Sequence, residues 1–314
     1  MSTKEDVLRY LIESPDEYVS GESLAEKLGK SRASVWKAIK ALKKDGYSVS
    51  AVTNRGYRLD EENDVLTAEA VQSKLKYDIE VICYPSIDST NTQAKRLVSE
   101  NKQNDMLIIA EEQTAGRGRQ GKSFYSPPLT GIYFSLVTHP MAPLQNVVTA
   151  TTAASVAVCR AVEKMTDKKP KIKWVNDVYL DGKKICGILT EAVTDFETQT
   201  VTSVIIGIGT NIRTFDFPDS VENATSLGVE IKRADLIAEI ANELYAIMRS
   251  DCREFIDYYR SHSMIIGEKI NFIRDKRITP ATALAIDEQG GLVVELEDGS
   301  TTVLRSGEIS IRRA

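Results

Sequence analysis

Gly116-Arg-Gly-Arg-Gln-Gly121-Lys-Ser-Phe-Tyr-Ser-Pro127-Pro128 is the stretch on which the fold turns. Its first six residues match G-x-G-x-x-G, the glycine pattern of a dinucleotide-binding crossover. That pattern needs a helix to begin inside it, so that the helix N-terminus faces a pyrophosphate. Pro127 and Pro128 forbid such a helix, and no acidic residue about twenty positions on completes a βαβ unit. A doubly wound sheet is therefore not expected. What remains is a loop whose glycines let backbone amides approach an anion and whose arginines, Arg117 and Arg119, supply charge. Gln113, Thr114 and Lys122 flank it. The pattern suits a clamp on a phosphate or acyl phosphate; a plain solvated basic loop is the bland alternative.

Strands and helices mix irregularly around this loop. Ile79–Tyr84, Met106–Glu111, Ile132–Thr138, Lys171–Val175, Ile185–Ala192 and Ser203–Ile208 read as strands, and 92–99, 146–165 and 235–249 as helices. Asp181-Gly182 reads as a tight hairpin turn, so part of the sheet is antiparallel and the class is α+β. On the strand at 171–175 Lys171 and Lys173 share a face. Asn176 and Asp177 are expected where that strand ends and polar groups emerge. A lysine beside a carboxylate and an amide can stabilise developing phosphate charge; an exposed edge is the other reading. Gly207-Ile-Gly-Thr-Asn211 ends a strand with two glycines, where backbone comes close to something or bulges. Asp88-Ser-Thr-Asn91 sits at a helix N-terminus and offers either capping or a polar grip on a small neutral ligand.

The first sixty residues form a separate unit. Val7, Leu8, Leu11 and Ile12 recur at helical spacing. A second helix carries Leu24, Ala25 and Leu28 and closes at Gly29. Ser31 caps a third, from Arg32 to Lys44, with Val35, Ile39 and Leu42 as its apolar stripe. Two short strands, 47–52 and 57–59, joined through Asn54-Arg-Gly, complete a winged helix-turn-helix. From Lys27 to Lys44 there are seven basic residues and no acidic one, a footprint for phosphate backbone. Arg32, Ser34, Lys37 and Lys40 on the third helix and Asn54 and Arg55 on the wing are the candidate DNA contacts. A solvated three-helix lid is the bland alternative, and such units usually span two half-sites as dimers. Asp60-Glu-Glu-Asn-Asp64 is an acidic linker.

Composition limits the chemistry. The 314 residues suffice for two or three domains. Two histidines (His139, His262) and four scattered cysteines (Cys83, Cys159, Cys186, Cys252) leave no zinc site, redox dithiol or Ser-His-Asp triad. The charged N-terminus has no signal-peptide core, no stretch is long enough to span a membrane, and unpaired thiols suit the cytoplasm. The net charge of −5 conceals the basic helix near the N-terminus.

Asp88-Ser-Thr-Asn91, Glu112-Gln-Thr-Ala-Gly-Arg-Gly-Arg119, Lys173-Trp-Val-Asn-Asp177, Lys184-Ile-Cys-Gly-Ile and Gly207-Ile-Gly-Thr-Asn211 occur in the order found in biotin–protein ligases. Behind a winged helix, they make the chain resemble the bifunctional bacterial type, ligase and biotin operon repressor in one. The resemblance spans almost the whole chain. It implies a winged helix-turn-helix at 1–62, a class II synthetase-like mixed-sheet catalytic domain at 65–265 and an SH3-like small β-barrel at 267–314. Short alternating strands with turns at Gly290-Gly291 and Asp298-Gly299 independently fit the last.

The resemblance further implies biotin and Mg²⁺-bound ATP as substrates, with no protein-held metal. Biotinoyl-5′-AMP would form first, followed by transfer to a lysine of a biotin carboxyl carrier domain, as in acetyl-CoA carboxylase or pyruvate carboxylase. Ser89, Thr90, Asn91 and Gln113 would hold the ureido ring. Arg117, Gly118 and Arg119 would fold over the acyl phosphate, and Lys184 would bind the biotin carboxylate and the phosphate. Lys173 and Asn176 would orient phosphate and magnesium-bound groups, Asp177 would position a lysine, and Asn211 would help seat the nucleotide. Phe124 stands where these ligases carry a tryptophan beside the adenine, and Val175 where they carry a proline. Operator DNA would be bound by a homodimer formed when adenylate is bound. A non-catalytic biotin-sensing repressor and a lipoate-type ligase are the alternatives.

Overall fold

A computed structural model describes residues 3–15, 17–60, 64–100, 104–139, 146–195, 197, 200–250, 254–274, 277–305 and 308–311. Linker residues 61–63, Cys252 and the last three residues of the expected barrel lie outside the described residues.

Helices α1 (Thr3–Ile12), α2 (Gly21–Leu28) and α3 (Arg32–Lys44) precede a two-stranded antiparallel wing, β1 (Val49–Val52) and β2 (Gly56–Leu59). Ser20 and Ser31 cap α2 and α3 by accepting from the amides of Ser23 and Ser34, and Gly29 ends α2 at φ 61°. Val7, Leu11, Leu24, Val35, Ile39 and Leu42 are buried together, so the apolar stripes of the three helices form one core. Gly56 turns the wing at φ 112°. A Cβ there would sit 2.1 Å from the Val19 carbonyl oxygen, so only glycine fits.

The central unit contains α4 (Ala68–Gln72), β3 (Glu80–Tyr84), α5 (Thr90–Ser99), β4 (Met106–Ala110), β5 (Gly131–Thr138), α6 (Asn146–Met165), β6 (Lys171–Lys173), β7 (Asp177–Leu180), β8 (Lys183–Thr194), β9 (Val201–Asn211), α7 (Arg233–Arg249) and α8 (Glu254–His262). Its seven strands run in the order β3-β4-β5-β9-β8-β7-β6. Only β3 and β4 pair in parallel; the rest are antiparallel. Asp181 (φ 50°) and Gly182 (φ 76°) make the expected hairpin turn. The glycine–arginine loop contains a single 3-10 turn, Arg119–Gly121, and no dinucleotide-type helix.

The segment at 171–177 differs from its sequence reading. The strand stops at Lys173, and Trp174-Val-Asn176 is the connection to β7, which Asp177 begins. Trp174 is drawn out of the strand by its own partner: its indole Nε1 donates to the Gly290 carbonyl (2.9 Å) in the last domain.

One face of the sheet packs Phe134, Leu136, Ile188, Ile206 and Ile208 into a core shared with α6 and α7. The last domain is a five-stranded antiparallel sheet, β13-β12-β11-β10-β14, built from β10 (Lys269–Arg274), β11 (Arg277–Ile286), β12 (Leu292–Leu296), β13 (Thr301–Leu304) and β14 (Glu308–Ile311). Its Ile270, Phe272, Ala283 and Leu292 join the same core, so the two domains share buried surface. Among the described residues no helix is long and apolar enough to cross a membrane.

Candidate active site and DNA-facing surface

Register on the other face of the sheet hollows out the site. Antiparallel pairing sets Asp177, Gly187, Gly209 and Tyr133 side by side across four strands, and Leu189, Gly207 and Ser135 in the next row. The rows are two residues apart along each strand, about 7 Å. Glycine at facing positions leaves space, and two side chains fill part of it. Phe124 lies over Gly187 and Gly209, where Cβ atoms would come within 3.2 and 2.5 Å of its ring. Asn91 lies over Gly207, where a Cβ would meet its Oδ1 at 2.1 Å. The cavity that remains measures about 190 Å³.

Hydrogen bonds hold Asn91 and Gln113 in its neutral part. The Asn91 amide donates to the Leu189 carbonyl (3.1 Å) and to Glu191 (3.0 Å), while its Oδ1 accepts from the buried Ser135 hydroxyl (2.6 Å). Gln113 Oε1 accepts from the Thr90 amide (2.9 Å) and hydroxyl (3.2 Å), and Gln113 Nε2 donates to Ser126 (2.9 Å). Ser89 stands at the N-cap position of α5, yet its hydroxyl makes no capping bond and lines the cavity. Capping alone thus does not account for that residue.

The charged part gathers Arg117, Arg119, Lys122, Lys173 and Lys184 around the same cavity. Lys184 pairs with Asp177 (2.7 Å), and Arg119 donates to Asn176 Oδ1 (2.8 Å). Asn176 in turn donates to Asp177 (3.0 Å) and the Ile188 carbonyl (3.1 Å). Lys173 Nζ lies 5.4 Å from the centre of the Tyr179 ring, and burial pushes the Tyr179 hydroxyl up to about 12. Arg117 reaches Glu191 (3.3 Å). Gly118 also lines the cavity. Asn211 does not: its amide donates to the Thr225 carbonyl (3.1 Å), and its Oδ1 is buried without a partner among the described residues. Among the described residues no group of three or more His, Cys, Asp or Glu could hold a metal ion.

Sequence reading missed Glu191, Ser135, Gln120 and Ile309, which line the cavity or hold those that do. Strand alternation from Gly187 places Leu189 and Glu191 on its face, a signal that was readable once the strand's register was known.

On the N-terminal unit Arg32, Lys37 and Lys40 are exposed on α3, and Asn54 (φ 63°) and Arg55 on the wing. The Ser34 hydroxyl is engaged with that of Ser31 (2.8 Å). Lys27 donates to the Tyr10 hydroxyl and Lys30 lies 3.9 Å from Asp6, so both also make contacts to α1. Arg55 stacks on Tyr18 (4.6 Å), which gives the wing tip a fixed guanidinium. Trp36, 53% exposed beneath Lys40, adds an apolar element to the face that the sequence reading passed over.

Three family models match successive parts of the chain: an HTH domain at 3–58, the biotin/lipoate A/B protein ligase family at 83–211 and the biotin protein ligase C terminal domain at 265–312. The Bacillus subtilis protein named bifunctional ligase/repressor BirA is 33% identical over 94% of this chain and 95% of its own length. Its Escherichia coli namesake is 32% identical over 95% and 94%. A biotin protein ligase from Aquifex aeolicus, solved in complex with biotin and ATP, superposes with a TM-score of 0.62 at 27% identity, covering 75% of this chain and 99% of that one. A winged helix, a mixed-sheet ligase domain and a small C-terminal β-domain in one chain define a ligase with a DNA-binding head. This chain belongs to the bifunctional biotin ligase/repressor family.

Proposed function

We propose that the chain is an ATP-dependent biotin–protein ligase that also represses transcription by binding operator DNA, acting in the cytoplasm. The observation that carries the catalytic half is one cavity in which a neutral polar group, Ser89, Thr90, Asn91 and Gln113, adjoins a cluster of five cations, Arg117, Arg119, Lys122, Lys173 and Lys184. A small neutral ring with a carboxylate tail and a nucleotide phosphate need such a neighbourhood. In the first step the biotin carboxylate oxygen bonds to the α-phosphorus of ATP, and pyrophosphate leaves with the bridging electron pair. Magnesium enters with ATP and shields its phosphates. Lys184 leaves Asp177 for the carboxylate and then the adenylate phosphate, and Arg119 turns from Asn176 towards that phosphate. Lys173 adds charge from the end of β6. Phe124 presents a ring to the nucleotide. None of these groups transfers a proton, so position and charge carry the rate.

In the second step the neutral lysine amine of a biotin carboxyl carrier domain attacks the acyl carbon, gives up a proton to solvent and displaces AMP. Asp177, freed by Lys184, orients that amine in this reading. Residues 1–62, 65–265 and 267–314 are the DNA-binding, catalytic and C-terminal units of this reading. The adenylate-bound chain acts as a homodimer on a palindromic site.

Incubation with biotin, ATP and a carrier domain tests the reading: a biotin-sized mass gain on one carrier lysine is expected, with pyrophosphate release. Lys184→Ala, in a partly exposed hairpin, is expected to fold and to release pyrophosphate at least tenfold more slowly, the scale of one lost charged contact to the transition state, roughly 1.4 kcal/mol or more. Equal rates would remove Lys184 from the mechanism. Lipoate in place of biotin is expected to give no adenylate. An operator shift or a sedimentation profile indifferent to biotin plus ATP would refute the regulated dimer.

A further inference from the structure

Glu191 lies on β8 two residues beyond Leu189 and on the same face, at the border of the cavity. Its side chain is 18% exposed and takes contacts from three directions. Oε1 accepts from Lys95 Nζ (2.7 Å) and from Arg117 Nη2 (3.3 Å); Oε2 accepts from the Asn91 amide (3.0 Å). Asn91 and Lys95 are four residues apart on α5 and so share one helix face, gripping the carboxylate between them. Burial works against the charge, but Lys95, Asn91 and Arg117 outweigh it and hold the carboxyl below its ordinary range.

The glycine–arginine loop is closed on itself. The Gly118 amide donates to the Lys122 carbonyl (2.7 Å), the Lys122 amide to the Arg119 carbonyl (3.1 Å) and the Phe124 amide to the Gly116 carbonyl (2.8 Å). Two guanidinium groups reach out from it: Arg119 to Asn176 in the β6–β7 connection and Arg117 to Glu191 on β8. Arg119 belongs to the phosphate in the proposed reaction, so its foot is given up when ligand arrives. Arg117, expected from its motif to cover the acyl phosphate, instead stands on the carboxylate that orients Asn91.

We propose that Glu191 is a positioning residue for adenylation, a clasp that ties the glycine–arginine loop to the first turn of α5 so that loop closure and the grip on biotin become one event. The idea rests on the ligase reading above. Glu191 touches neither reacting carbon nor phosphorus. It acts through Arg117 on retention of the adenylate and through Asn91 on affinity for biotin, leaving the chemical step itself little changed.

The test uses the full chain loaded with biotin and ATP, freed of excess ligand by gel filtration, with first-order loss of adenylate followed over time. Glu191→Gln is expected to lose adenylate roughly tenfold faster and to raise KM for biotin by a similar factor, the scale of one partly buried charged hydrogen bond. Its kcat for pyrophosphate release should change less than KM, and Glu191→Asp should recover part of the loss. Arg117→Gln, on an exposed side chain that the fold does not need, should accelerate the loss equally, and the double variant should be no worse than either single one. Wild-type retention in Glu191→Gln or in Arg117→Gln, or multiplicative effects in the double variant, would overturn the clasp. A wild-type chain that forms no adenylate would overturn the ligase reading instead.

Discussion

Gly207→Ala puts the hollowed sheet to a quantitative trial. The new Cβ would stand 2.1 Å from Asn91 Oδ1, 2.9 Å from its Cγ and 3.2 Å from its Nδ2. Contact distance for such atoms is at least about 3.4 Å, so Asn91 must retreat by more than about an ångström. It has nowhere to go without breaking bonds, because Ser135, Leu189 and Glu191 hold its three polar positions. Crowding of this kind costs about 1–3 kcal/mol. The wholly buried Ser135 hydroxyl, left without an acceptor, adds about 1–3 kcal/mol. A loss of roughly 2–6 kcal/mol in urea unfolding is therefore expected, together with loss of biotin binding in a calorimetric titration. The double variant Gly207→Ala/Asn91→Ala removes the clash and should be less destabilised than the sum of the two single ones, by roughly 1–3 kcal/mol. A Gly207→Ala chain that unfolds within about 0.5 kcal/mol of wild type and binds biotin normally would refute the packing argument.

Other perturbations address other links. Arg233, wholly buried, bonds to Glu111 Oε1 (2.6 Å), to Asp64 (3.1 Å) and to the Gly131 carbonyl (3.1 Å), joining the last residue of the acidic linker to the sheet. Arg233→Met strands two carboxylates and should cost about 3–5 kcal/mol by denaturant titration; a near-neutral result would mean the cluster is solvated. Trp36→Ala should leave thermal unfolding unchanged while weakening operator binding several-fold in a mobility shift, and unchanged affinity would take Trp36 off the DNA face. Burial pushes the wholly buried Cys186 thiol up to about 12, so it should not react with iodoacetamide at pH 8 in the folded chain; its labelling without denaturant would contradict that burial. The lowered Glu191 carboxyl contributes stability above its ordinary pKa and loses it as pH falls through the lower folded value. Adenylate retention should hence be flat through neutral pH and fail only in acid.

How much of this was legible in the chain differs by region. Helix stripes such as Val35, Ile39 and Leu42, the Ser31 cap and the Asp181-Gly182 turn are local, set by residues within a few positions of each other, and they appear where periodicity and turn chemistry place them. Pro127 and Pro128 likewise settled by themselves that no dinucleotide helix follows the glycine loop. Motif order identified the ligase-and-repressor family from sequence alone. Trp174 defied local reading because its partner, Gly290, lies over a hundred positions away, and so the strand at 171 ended early.

The site divides along the same line. Residue types that bind anions and small polar rings could be named from their motifs, because that chemistry belongs to the side chains themselves. Their assembly could not. Which carboxylate faces Arg117, which asparagine turns from the cavity to Thr225, and why Gly207 and Gly209 must lack side chains depend on register between strands distant in sequence. A shift of one residue in that pairing would turn every one of them to the opposite face. Sequence determined the elements, the family and the chemical vocabulary of the cleft; only the packed sheet decided which groups meet.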